Sequence, residues 1–312
     1  MNKRLDLTSH QQAVWLEHKL HPGKPIFNIG TYLELSNVPD KPKLEIAIQN
    51  VIQENDAFRI KLHELKGRCT QEFEDEKAFN LSLKDFSAVS NSKADAIAWM
   101  QNEFEKSIEL SDDILYEVAL VQFEEKKSFL FFKFHHIFID GWARALFINN
   151  IAGHYNALLS NTEFSNSSSY SAYVSKWNDN QESGRSEARE FWKTKFEDFE
   201  RSFLFSKKKE GLGYSSSERL RLAFERGKYE SINLEGDTDS KNKFYALVAS
   251  LYVTLANSTG KRDLVFGVPV LNRSGEVEKN TIGYYLGVIP LRLKFDAEAT
   301  FEEIAHEVRT EM

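Results

Sequence analysis

The sequence predicts a mixed α/β fold in two lobes, and three observations carry that reading. Segments with apolar residues at helical spacing alternate with short apolar runs of strand length. At 312 residues and 41% hydrophobic, the chain can bury a large core but exceeds the usual size of one domain. A stretch rich in serine and asparagine, residues 160–169, interrupts the alternation and sets a first lobe at 1–165 and a second at 166–312.

Taken in order, Thr31 to Leu35 and Phe58 to His63 read as strands, with a helix over Leu44 to Ile52 between them. A helix over Ala94 to Phe104 follows. Leu115 to Phe123 and Ser128 to Phe134 then form the arms of a hairpin around the charged turn Glu124 to Lys127. The alternation in the first arm is weak, as expected of a strand covered on both faces. Trp142, Ala145, Leu146, Ile148, Ala152, Tyr155, Leu158 and Leu159 mark a helix over Trp142 to Leu159, with Asp140 placed as its N-cap. In the second half, Glu187 to Phe199, Phe244 to Ala256 and Phe301 to Val308 read as helices, and Arg219 to Phe224, Leu264 to Val268 and Gly287 to Phe295 as strands. A second polar stretch, Ser206 to Glu218, holds the one notable basic run, Lys207 to Lys209; it reads as a solvated loop, or alternatively as a contact for an acidic carrier protein.

Composition narrows the function. A formal charge of −7 argues against nucleic acid, which is normally met by a basic face. One cysteine, Cys69, forms no intrachain disulfide and favours a reducing compartment. The first twelve residues lack a signal-peptide core, and the longest apolar stretch, Phe244 to Ala256, is too short to span a bilayer. The expectation is a cytoplasmic protein that binds neither membrane nor nucleic acid.

The chemistry concentrates in Phe134-His135-His136-Ile137-Phe138-Ile139-Asp140-Gly141, where an apolar strand gives way to a helix. Side chains on a strand alternate in direction, so His135 and His136 do not share a pocket if the strand persists through them. One histidine is then chemical and the other structural. The same geometry counts against joint metal ligation. The plain alternative is a pair of satisfied core histidines with Asp140 only capping the helix.

The corner resembles the H-H-x-x-x-D-G signature of the condensation domains of nonribosomal peptide synthetases, which have a chloramphenicol-acetyltransferase-like fold. Four further blocks match in family order. Leu7 to Trp15 is similar to the opening S-x-x-Q-x-x-W block, read here on Ser9, Gln12 and Trp15, and Phe27-Asn28-Ile29 is similar to the Y-N-I behind it. Glu54 to Arg59 resembles the second block. Tyr170 to Trp177 resembles Y-x-D-Y-x-x-W, with Ala172 replacing the acid. Ile282 to Arg292 resembles I-G-x-F-V-N-T-L-P-L-R, with Gly287 where the family usually has asparagine.

The resemblance implies amide formation between a donor acyl thioester and an acceptor amine, both carried on the phosphopantetheine of partner carrier proteins, with no cofactor bound by the domain itself. The reaction would sit in a tunnel between the lobes, with donor and acceptor carrier proteins at opposite mouths and adenylation and carrier domains downstream in the parent synthetase. Within it, His136 is the catalytic base or amine holder, His135 its structural partner and Asp140 the holder of the corner. Gly141 either steadies an oxyanion through its N–H or is a plain turn residue. Asp140 should pair with an arginine of the second lobe: Arg273 is the first candidate, Arg59 and Arg292 the others. Tyr284, Tyr285 and Gly287 would line the tunnel, Gly287 altering acceptor fit. Trp15 and Leu16 are expected to pack the first lobe. The helix begun at Phe301 stops at Met312 without a stop signal, whereas the family continues, so the second lobe is expected to be incomplete. Alternative functions on the same motif are epimerisation, a related acyl transfer, or carrier binding without catalysis.

Overall fold

The structure, a computed structural model, describes residues 3–112, 114–179, 185–200, 220–230 and 240–312. In chain order its elements are β1 (Leu5–Asp6), α1 (Ser9–Leu20), β2 (Asn28–Leu35), α2 (Lys41–Glu54), a 3-10 turn (Asp56–Arg59), β3 (Ile60–Leu65), β4 (Arg68–Phe73), β5 (Ser82–Asp85), α3 (Ser92–Phe104), β6 (Tyr116–Glu124) and β7 (Lys127–His135). After the corner come α4 (Gly141–Ser160), α5 (Tyr170–Asp179), α6 (Arg185–Lys195), α7 (Arg226–Glu230), α8 (Ser240–Thr259), β8 (Asp263–Val270), α9 (Glu276–Asn280), β9 (Gly287–Lys294) and α10 (Phe301–Glu311).

The chain divides into two compact units, one of residues 1–183 and 271–287, the other of 184–270 and 288–312. In the first, a four-stranded sheet runs β2-β7-β6-β5, antiparallel except for the parallel β5–β6 edge, beside a three-stranded sheet β1-β4-β3. The weak alternation of the central hairpin has the expected cause. Val118, Leu120, Leu130, Phe132 and Phe134 join the main core, while Ala119, Val121, Phe123, Phe129 and Phe131 pack with Ala96 and Met100 of α3 on the opposite face. In the second unit, Ala249, Tyr252 and Ala256 of α8 pack with β8, β9 and the apolar face of α10, Ile304, Ala305 and Val308.

Several sequence expectations change. The sequence divides the lobes at residue 165, yet α5 packs on β1 and the 3-10 turn of the first unit. The polar stretch 160–169 is no linker: Ser168 Oγ donates to Asn55 Oδ1, and Asn166 N–H donates to Glu54 Oε2. Residues 271–287, expected in the second lobe, pack in the first unit's core through Ile282, Tyr284 and Tyr285. Residues 220–224 are irregular and exposed rather than a strand, and α6 stops at Lys195, short of Phe199. Lys207 to Lys209 and Arg219 lie outside the described residues.

Helix α1, not among the elements expected from periodicity, starts on a capping box in which Thr8 accepts from Gln11 N–H and Gln11 reaches back to Thr8 N–H. The buried pair is therefore Thr8 and Gln11; Ser9 and Gln12, one position along, are exposed. Trp15 is buried but Leu16 faces outward.

Candidate active site

Strand β7 delivers the histidine pair to the corner, and β7 ends at His135, so the two rings separate there. His135 N–H donates to Leu115 O at 2.9 Å and His136 N–H to Phe27 O at 2.8 Å, fixing the corner backbone from two sides. Gln11 Nε2 fixes the next residue by donating to Ile137 O at 3.2 Å. Gln11 is itself held by reciprocal amide hydrogen bonds with Gln71 of β4.

The His135 ring is turned inward, 1% exposed, against His18 of α1. Burial, with His18 and His136 adding to it, pushes its pKa down to about 3, so it is neutral at ordinary pH. The His136 ring meets Tyr284 edge to face, centroids 5.2 Å apart. Its Nδ1 lies 2.9 Å from Ile139 O, a pure acceptor, so Nδ1 carries the ring proton and Nε2 presents a lone pair. Burial lowers its pKa, opposed by the Ile139 carbonyl, its own backbone and Asp140.

Asp140 caps α4, its Oδ1 accepting from Ala143 N–H at 2.8 Å. Its Oδ2 accepts from Tyr285 N–H at 3.0 Å, and Arg273 Nη2 lies 3.0 Å from both carboxylate oxygens. Both side chains are 1% exposed. Arg273 also donates to the carbonyls of Glu278, Thr281 and Gly283, and its guanidinium stacks 4.2 Å from the centroid of the Tyr285 ring. Each carboxylate oxygen of Asp140 therefore has two donors, one backbone N–H and the Arg273 guanidinium.

Of the three arginine candidates only Arg273 reaches Asp140, and it does so from within the same compact unit. Arg59 instead donates to Ile52 O, Gln53 O and Glu74 O, closing the C-terminal end of α2. Arg292 pairs with Asp263 and Asp198 in the second unit. Tyr285 is closed in by Arg273, Tyr170 and Tyr173 and supports the ion pair, so of the two tyrosines it is Tyr284 that faces His136. A Cβ on Gly141 would meet nothing within 4 Å, so the bare backbone there answers no packing need of this chain.

Gly287 does answer one. A Cβ there would lie 2.6 Å from Asn272 Nδ2 and 2.9 Å from the His10 ring. Asn272, at a left-handed φ of 49°, donates to Tyr285 O and lies 3.3 Å from His10 Nε2. These two side chains fill the space an asparagine at 287 would need. Ala172 is exposed, so the acid it replaces has no buried partner to miss.

The blocks at 54–59 and 170–177, with residues 282–285 of the last block, converge behind the corner. Asp56 accepts from Tyr170 N–H, Ser171 N–H and two serine hydroxyls, capping α5. Tyr170 Oη donates to Tyr284 O at 2.8 Å, and Ser168 Oγ accepts from Ile282 N–H.

The first of the two α/β units thus carries an anchored histidine beside a buried Asp–Arg brace. The match to the Condensation domain family runs over residues 1–312, and the chain belongs to that family. It is 24% identical to a dimodular nonribosomal peptide synthase of Bacillus subtilis (strain 168), over 98% of this chain and 13% of that protein. It is 26% identical to a plipastatin synthase polypeptide of the same organism, over 95% of this chain and 12% of that one. The chain thus spans about an eighth of the length of these curated relatives. Among solved structures, it matches the starter condensation domain of rhizomide synthetase in a mutant form with C8-CoA, at a TM-score of 0.83 and 23% identity over 99% of this chain and 71% of that one. The first condensation domain of the calcium-dependent antibiotic synthetase, in complex with a substrate analogue, matches at a TM-score of 0.80 and 22% identity, over 99% and 73%. Condensation domains are acyltransferases that form amide bonds. No helix among the described residues is long and apolar enough to cross a membrane.

Proposed function

We propose that this domain joins a donor acyl or peptidyl thioester to the α-amine of an acceptor aminoacyl thioester, each delivered on the phosphopantetheine of a carrier protein, within a cytoplasmic nonribosomal peptide synthetase. The observation that carries the reading is the state of His136: Nδ1–H committed to Ile139 O, burial favouring the uncharged ring, and the Nε2 lone pair presented. The acceptor nitrogen attacks the donor carbonyl, the C–N bond forms, the C–S bond breaks, and the proton lost by the amine ends on the departing sulfur. His136 Nε2 takes or holds that amine proton. Its contribution is on the order of a hundred- to ten-thousand-fold. Orientation of two activated substrates supplies the larger share, up to about 7–11 kcal/mol. The resemblance of the chain to multidomain synthetases supports carrier, adenylation and further condensation units as its partners.

His136→Ala, assayed with both carriers loaded, should lower the rate of amide formation by about a hundredfold or more while leaving carrier binding in place. Unchanged amide formation would remove His136 from the chemistry. Carrier binding with no amide product from the unaltered protein would favour a recruiting module. Racemisation of a carrier-bound residue without a second substrate would favour epimerisation.

A further inference from the structure

We propose that His18 is a positioning residue for the reaction, acting through His135: the line Glu109, His18, His135 holds the residues that flank His136, and it does so in one proton arrangement only. The proposal rests on the amide-forming role of His136.

Donor and acceptor logic fixes that arrangement. Ile137 N–H donates to His135 Nδ1 at 3.1 Å, so Nδ1 is bare and the neutral ring carries its proton on Nε2. Nε2 lies 3.2 Å from His18 Nδ1, which must therefore accept. The His18 proton is then on Nε2, 3.6 Å from the Glu109 carboxylate. The rings meet edge to face at 5.1 Å, His135 1% and His18 4% exposed, and the two facing nitrogens are buried, so water does not replace either partner of that contact.

The line bears on His136 because it ends on the next residue. Ile137 is held at its N–H by the His135 ring and at its carbonyl by Gln11. Gln11 and His18 lie two helical turns apart on the buried stripe of α1, so one helix supplies both restraints. Adding a proton to His18 sets Nδ1–H against His135 Nε2–H. His135 escapes only by moving its proton to Nδ1, against Ile137 N–H, and one donor-to-donor opposition persists in either case.

His18 is reachable, since it lines an open cleft of about 510 Å³. Facing it are Glu109 from the segment before β6, which favours the proton, Lys19 on its own helix, which opposes it, and His135 on β7. Across the cleft stand Arg4, then His63 and Glu64 of β3, and Cys69 of β4, whose thiol burial pushes up to about 11. His135 is faced in turn by His18 and His136.

Long-range proton–nitrogen spectra of the full chain near neutral pH should show both His18 and His135 as neutral Nε2–H tautomers; an Nδ1–H tautomer at either would overturn the proposal. His18→Leu should lower kcat about tenfold or more with KM little changed, because the His135 N–H loses its acceptor. His18→Gln offers an amide oxygen but no titrating proton, so kcat should recover and its acid limb should move to lower pH. A Leu variant that is folded and keeps both kcat and the acid limb would refute the positioning role. If that variant fails to fold, an unshifted acid limb in His18→Gln refutes it instead. If the unaltered protein forms no amide, the proposed function fails, while the tautomers and the acid shift of the Ile137 amide signal still decide the line.

Discussion

Asp140 and Arg273 show what a buried charge needs in order to be tolerated. Each desolvated ion costs several kcal/mol, and here the carboxylate collects two backbone N–H donors besides the guanidinium, which in turn reaches three carbonyls. Removing one partner leaves the other uncompensated. Arg273→Met should therefore cost about 3–5 kcal/mol in urea unfolding, and Arg273→Lys should recover little because an ammonium lacks the planar fork. The aspartate was legible in the sequence as a helix cap, but its arginine only through the family resemblance, since nothing local links residues 133 positions apart. Thr8 and Gln11 escaped because the opening block can be read one residue out of register, and only burial separates the two readings. His18 carried no signal at all, for its partner lies 117 residues away.

At the scale of elements, the stretch 160–169 looked like a linker because serine and asparagine favour turns. In the structure the same hydroxyls and amides serve as partners for the polar ends of α2 and the start of α5. Polar composition signals exposure only where no buried partner exists, and Glu54, Asn55 and Asp56 supply those partners. Asp56→Ala should cost about 1.5–3 kcal/mol, the usual worth of hydrogen bonds to a charged group, and should raise amide exchange in α5 ahead of β6 and β7. Exchange in α5 that matched the unaltered protein would show the cap to be dispensable. The hairpin, α4 and α10 were legible because their apolar periods are long. Residues 220–224 mimicked a strand by alternating Leu220, Leu222 and Phe224, all of which are exposed.

For the whole molecule, the buried histidines set how stability responds to acid. The His135 pKa lies near 3 when folded, below the ordinary imidazole value, so the unfolded chain binds more protons once pH falls under about 6.5. The contribution of His135 to stability should be level above that point and decline below it, by up to about 1.4 kcal/mol per pH unit, until pH nears about 3. His18, lowered by burial as well, acts with the same sign. Urea midpoints measured from neutral to pH 4 would show the decline, and a level profile across that window would contradict it.

The return of residues 271–287 to the first unit also has a meaning in time. During synthesis, the helix-capping carboxylate leaves the ribosome with its counterion 133 residues behind, roughly 7–27 s later at ordinary elongation rates. Throughout that interval the Asp140 carboxylate is without the Arg273 guanidinium that it meets in the folded unit. The corner is thus completed only long after its own residues have been made.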